Sequence, residues 1–267
     1  MKKILFFLAL LITPFAAFAA DQIAPLPKAS CSVQVPFGEP SEKAGLPVIC
    51  RKAYILESDT SAKIPAWVAW TLTPEHAIGC VARTNAFATD QSLLAVGHAT
   101  PADYAASGYD QGHLANDADM SWDDQVEHES FYMSNMSPQL PNVNRGTWKN
   151  LESASRAWVY QTKHAHTIYA GNIWSASSKT IGVNKVVVPD SLFKIVVDDI
   201  TKKSYAFLMP NKEGIDSDFT KFQVTVSDVE KATGYTFPVP DSKTVKNPVI
   251  KADLATLAAD KKKQCKE

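Results

Sequence analysis

Beyond its first twenty residues the sequence has no long apolar run, and nowhere does it have a Cys-x-x-Cys pair, a Gly-x-Ser-x-Gly elbow or a glycine-rich phosphate loop. Each absence removes a class. No later segment approaches the ~20 apolar residues that a spanning helix needs. Four cysteines without Cys-x-x-Cys spacing are a poor zinc site. The other two absences argue against an elbow-type serine hydrolase and against a nucleotide-cradling loop. Neither charge is in excess: 27 basic and 28 acidic residues give a formal charge of −1. The chain therefore lacks the bulk positive charge of a polyanion binder, and any such surface must be a local groove. Internal repeats and an obvious interdomain linker are also missing.

What is present begins with export. Lys2 and Lys3 precede an apolar run from Ile4 to Ile12, and Ala17-Phe18-Ala19 fits a small-x-small cleavage site, so residues 1–19 read as a signal peptide. No cysteine directly follows the cleavage site, which argues against a lipid anchor. The mature chain is expected in the periplasm or secreted, with 25 basic against 28 acidic residues. An even cysteine count in an oxidising compartment predicts two disulfides. Of the three pairings, Cys50–Cys80 is favoured because both lie near the outer ends of a predicted hairpin. Cys31–Cys265 would then tie the termini.

Residues 20–46, rich in Pro, Ser and Gly, read as an irregular arm, and residues 47–267 as one domain. Arg51 to Glu57 and Ala66 to Thr73 read as strands around the turn Ser58-Asp59-Thr60-Ser61. Residues 84–109 read as a long loop, and Trp122 to Tyr132 contains a short helix. A helix from Asn144 to about Lys163 has a buried stripe of Trp148, Leu151, Ser155, Trp158 and Val159. Strands follow at His166 to Ile173, Leu192 to Val197 and Ser204 to Met209. Ser227 to Glu230 reads as a capping box closed by Gly234, and Pro248 to Lys262 as a terminal helix. Lys261-Lys262-Lys263 reads as a solvated tail. Hairpins mixed with helices predict a single α+β domain.

Two segments carry the chemistry. Tyr109-Asp110-Gln111-Gly112-His113 reads as a turn that Asp110 can hold by side-chain to backbone bonds, and it offers an imidazole able to take a proton from water near neutral pH. Asn144-Arg145-Gly146-Thr147-Trp148-Lys149-Asn150-Leu151-Glu152 offers an amide oxygen and a carboxylate. Asn144 has two competing roles at a helix start, an N-cap or an oxygen ligand for Mg2+. Glu152 lies about 12 Å further along a helix, placing it to meet such a metal through water. Arg145 is placed to contact a flanking phosphate, while Asn135 and Gln139 can orient waters or Asn144. Base, ligand and carboxylate suffice for metal-assisted phosphodiester cleavage. His164 and His166 form a His-x-His pair, with no evident third ligand for a transition metal.

Asp110-Gln111-Gly112-His113 resembles the Asp-Arg-Gly-His signature of the DNA/RNA non-specific endonucleases, whose core is the ββα-metal (His-Me finger) fold. Asn144, Gly146, Trp148, Leu151 and Glu152 match that family's metal-binding helix. Ser134-Asn135-Met136-Ser137-Pro138-Gln139 matches the segment between. Pro65 to Trp70, Tyr169-Ala170-Gly171 and Phe222 to Val226 have counterparts too, so the likeness spans about residues 45 to 240. The resemblance implies a mainly antiparallel sheet with packed helices and sugar-non-specific cleavage of DNA and RNA that leaves 5′-phosphates. It implies His113 as general base, one Mg2+ on Asn144, with Mn2+ able to substitute, and Arg83 as the cation on the scissile phosphate. A homodimer and an inhibitor protein are both compatible with it. Position 111 departs from the family: glutamine keeps a donor but loses the arginine charge. If Gln111 faces the phosphate, activity is lowered. The alternative is a catalytically weak nucleic-acid-binding protein on the same scaffold.

Overall fold

The computed structural model describes residues 24–27, 30–31, 34–240 and 243–266. The expected signal peptide lies outside them. The strands are β1 (Val48–Cys50), β2 (Tyr54–Asp59), β3 (Ile64–Leu72), β4 (Asp110–His113), β5 (Met136–Gln139), β6 (His166–Ile173), β7 (Thr180–Ile181), β8 (Val186–Val187), β9 (Ser191–Asp198), β10 (Ser204–Pro210) and β11 (Gln223–Val224). The α-helices are α1 (Pro101–Tyr104), α2 (Asp117–Met120), α3 (Asp124–Ser130), α4 (Lys149–Thr162), α5 (Val226–Thr233) and α6 (Leu254–Cys265).

Seven strands form one antiparallel sheet in the order β1-β2-β3-β6-β9-β10-β11. Alternation along β3 sends Val68 and Trp70 to one face and Trp67 and Ala69 to the other. On the first face, Trp148, Leu151 and Trp158 pack against Leu56, Ile168, Leu192 and Phe207. On the second, Val226 and Val229 of α5, with Val35 and Phe237, cover Ile55, Tyr169, Phe193 and Ile195. Cover on both faces explains why the central strands are largely apolar. The α+β expectation holds.

Apart from the sheet, β4 and β5 form a two-stranded antiparallel ribbon, with Asp110 opposite Gln139 and His113 opposite Met136. This ribbon and α4 make up the ββα unit. The Asp110–His113 segment is thus strand, not turn. The helix expected from Asn144 begins as an α-helix only at Lys149. Residues Val143–Trp148 form a π-helical turn in which Gly146 leaves helical geometry (φ −114°, ψ −106°). Asn144 consequently sits inside a widened turn, not at an N-cap.

Other local expectations shift for identifiable reasons. The 84–109 stretch contains a 3-10 turn at Gln91–Leu93 and the short α1. Helix α5 is capped by Thr225 and Asp228, because the backbone is already helical at Ser227. Glu230 turns instead to the Phe237 amide and Lys243. Gly234 closes the helix at φ 73° as expected. The terminal helix starts at Leu254.

There are two disulfides, as expected, but with different partners: Cys31–Cys50 and Cys80–Cys265. The arm runs beside the sheet edge, where Leu26 bridges to Cys50, and brings the Cys31 and Cys50 Cα atoms to 5.8 Å. Cys80 is not at a hairpin end. The chain leaves β3 at Leu72 and turns through the 3-10 segment His76–Ile78, which delivers Cys80 to the end of α6. Both Cα separations lie within disulfide reach.

Candidate active site

Beside the ribbon and the first turns of α4 lies a cavity of about 370 Å3. Of the residues expected from sequence, Arg83, Gln111, His113, Asn144, Arg145 and Glu152 all line it. Asn135 and Gln139 do not.

His113 ends β4 and is 7% exposed. The Phe131 ring stands edge-on to the imidazole, with centroids 4.8 Å apart, and Phe87 lies 5.7 Å away. Its Nε2 is enclosed and has no hydrogen-bond partner among the described residues. Burial, reinforced by the nearby Arg83 charge, lowers the imidazole pKa to about 3. The ring is therefore neutral, with a lone pair available to a proton. The Trp148 indole donates to the His113 carbonyl at 3.3 Å and ties the strand to the helix. Gly112 is required by space: a Cβ there would lie 2.3 Å from Cδ of Gln139.

Asp110 joins the two motifs. Its carboxylate accepts from Nδ2 of Asn144 at 2.9 Å and from Arg145 at 2.8 and 2.6 Å. Burial opposes its ionisation, but the bonds from Arg145 and Asn144 outweigh that and hold it below the usual carboxylate range. With the amide nitrogen of Asn144 engaged, its oxygen is the atom left for a cation. Among the described residues no cluster of three or more His, Cys, Asp and Glu side chains is set to hold a metal. An amide oxygen with one carboxylate nearby fits Mg2+, which keeps most of its waters and takes few protein ligands.

Glu152, one turn into α4, is partly exposed in the cavity wall. Burial pushes its carboxyl up to about 7, against the pull of Lys194 and Arg156. Lys194 is fully buried in β9, its Nζ 4.8 Å from the Trp148 ring centre and 5.1 Å from that of Trp70. Burial lowers its pKa even though Glu152 and Asp119 draw it up. Arg156 donates to Asn116 at 2.8 Å and Asp119 at 3.0 Å, and Trp70 also donates to Asp119. A layer of alternating charges and tryptophans thus underlies the cavity floor.

The remaining expected residues divide. Arg83 bonds Asn85 at 2.7 Å, pairs with Asp117 at 3.1 Å and lies over the Phe131 ring. Gln111 faces the cavity, with only a weak contact to the Met133 sulfur. Asn135 is fully buried and bonds the Ala115 amide and the Ala115 and Ser130 carbonyls, so it braces the chain behind His113 and does not reach the cavity. Gln139 is equally buried and fills the space over Gly112. His164 is held by Asp198 at 2.9 and 3.0 Å and His166 is buried, so neither joins the site.

Sequence reading missed Asn116, Lys149, Arg156 and Lys194. Arg156 had a signal, since it lies four residues after Glu152 on one helix face. Lys194 had another, as a lone lysine within the apolar strand Leu192 to Val197.

Comparison with known proteins agrees with this geometry. The family model for DNA/RNA non-specific endonucleases matches residues 37–242. A nuclease of Nostoc sp. is 34% identical over 237 residues, covering 81% of this chain and 85% of its own. Mitochondrial endonuclease G of Bos taurus is 33% identical over 222 residues, 75% and 74% of the two chains. A chain from the crystal structure of an EndoG/EndoGI complex superposes with a TM-score of 0.72 at 26% identity, covering 81% of this chain and 94% of that one. This chain belongs to the DNA/RNA non-specific endonuclease family. It is a nuclease with the ββα-metal fold.

Proposed function

We propose that this chain is exported and hydrolyses phosphodiester bonds of DNA and RNA with little sequence preference, leaving 5′-phosphate ends, with His113 as general base and Mg2+ held on Asn144. The observation that carries the reading is the convergence of both motifs on one cavity through Asp110, which fixes Asn144 and Arg145 beside β4. His113 is neutral, the form that can accept a proton from water, and no protein donor occupies its Nε2 among the described residues. Arg83 and Arg156 offer fixed positive charge to the scissile phosphate, and phosphoryl transfer depends heavily on such charge. Asn144 and, through water, Glu152 would hold the ion, which supplies positive charge against that gathering on the phosphate and the leaving 3′-oxygen. The cavity wall combines four cationic side chains with two carboxylates, a local basic groove on a near-neutral chain. Such a wall reads phosphate and sugar, which carry no sequence information. Two disulfides and the n-region, apolar run and small-x-small site at the N-terminus support export.

The test is plasmid nicking and RNA digestion with and without EDTA, using His113→Ala alongside. We expect EDTA to stop cleavage and His113→Ala to lose at least ~10²-fold activity while remaining folded by circular dichroism. Full cutting by a folded His113→Ala protein would sink the mechanism. Binding without cutting in the unmutated chain would favour the weak-binder alternative.

A further inference from the structure

The family match ends at residue 242, yet the chain continues into α6, and that helix is firmly seated. Cys265 is bonded to Cys80, three residues before Arg83. The Trp158 indole donates to the Ile250 carbonyl at 2.7 Å, Tyr160 donates to Asp260 at 2.7 Å, and Gln264 donates to the Ile78 carbonyl at 3.1 Å. Leu257 is buried against Ile78 and Ala157.

Leu254, Leu257, Ala258 and Lys261 share one face of α6, at helical spacing. With Ala77, Ala118, Ser153 and Arg156 they line a second cavity, of about 260 Å3. Ala118 and Arg156 also line the candidate active site, so the two cavities meet at a common wall. The second cavity holds two cations and no carboxylate. Lys261 is half-buried in it, and no ion pair engages it among the described residues. Its neighbour Asp260 is occupied by Tyr160. Lys262 and Lys263 are exposed, so only Lys261 of the lysine run departs from a solvated tail.

We propose that this second cavity extends the substrate groove and holds a nucleotide flanking the cleaved bond, its base or sugar against Ala118, Ala258 and Leu254 and its phosphate on Lys261. The inference rests on the nuclease reading above. Small apolar walls accept a flat base or sugar, and an unpaired ammonium beside them suits a phosphate. The disulfide and the bonds to α4 hold in place the α6 backbone that carries Lys261, which lowers the ordering cost of the contact.

The experiment uses the full oxidised chain and compares a long DNA duplex with a dinucleotide over a series of salt concentrations. Lys261→Glu and Lys261→Ala are measured beside Lys263→Glu, which places the same charge change on the exposed face. Lys261→Glu is expected to lower the ratio of kcat/KM on duplex to that on dinucleotide by about fivefold, mainly through KM. Lys261→Ala is expected to reduce the logarithmic salt slope by about 0.9, the loss of one phosphate contact. A merely structural role for Lys261 would leave the salt slope and the ratio unmoved. An unchanged ratio and slope, or an equal effect from Lys263→Glu, overturns the proposal while leaving the nuclease reading intact. An unmutated chain that cuts neither substrate overturns both.

Discussion

Replacing Gly112 by alanine should disable the site through one methyl group, and the structure shows how. A Cβ at position 112 would lie 2.3 Å from Cδ of Gln139, and 2.6 Å from its Cγ and Nε2. Ordinary carbon contacts begin near ~3.5 Å, so about 1 Å of movement is needed. Gln139 is fully buried and sits in the ribbon opposite Asp110, with little room to retreat. The strand must then shift, and His113 is the next residue. Overpacking of this kind costs about 1–3 kcal/mol of stability. A 1 Å displacement of a catalytic group can cost ~10²-fold in rate. Trimming Gln139 should create the missing space. We therefore expect Gly112→Ala to lose about two orders of magnitude in kcat/KM, and Gly112→Ala with Gln139→Ala to recover at least a tenth of the Gln139→Ala rate. Plasmid nicking and thermal melts on all four proteins complete the cycle. A near-normal rate for Gly112→Ala, or a double variant no faster than Gly112→Ala alone, refutes the steric account.

Further expectations follow from the site. Asn144→Ala should raise half-saturating Mg2+ far more than substrate KM, and Asp110→Ala should do the same to a smaller degree, because Asp110 holds the Asn144 amide; metal titrations of cleavage check both. The Glu152 carboxyl, raised from 4.5 to about 7, favours the fold while protonated, so its contribution is full below 4.5 and is lost as pH rises through 7. Mg2+ should therefore raise the melting temperature more on the alkaline side of 7 than on the acid side, and Glu152→Gln should flatten that difference. His113 has the opposite sign: its contribution, present above 6.5, is lost as pH falls towards 3. Gln111→Arg should speed cleavage at low salt, with a gain that shrinks as salt rises, because Gln111 faces the cavity; an unchanged low-salt rate would show that position 111 is no phosphate contact.

Most of the fold was legible because its elements are periodic and locally determined. The strand His166–Ile173 was read to the residue, and the stripe from Trp148 to Val159 does pack onto the sheet. What failed depended on contacts distant in sequence or on rare backbone geometry. The cysteine partners are set by where the arm and α6 finally lie, 19 and 185 residues away along the chain. The π-turn at Val143–Trp148 has no periodic signature beyond a glycine at its centre.

The site divides along the same line. The residues that touch the cavity from short motifs were visible, because a base, an amide and a carboxylate at fixed spacing form a recognisable set. The residues that set their electrostatics were not. Lys194 lies beneath the site only because β9 crosses the sheet under α4, and in sequence it is one lysine within an apolar strand. Asp110 was read as a turn residue, yet its carboxylate holds together two motifs separated by more than thirty residues. Asn135 and Gln139 were expected to orient waters or Asn144 at the substrate. Their burial assigns them to the frame, one bracing the segment after His113 and the other filling the space that Gly112 leaves open. A polar side chain in a motif therefore marks the neighbourhood of the chemistry. Whether it faces the substrate or supports the group that does depends on packing, which local spacing does not encode.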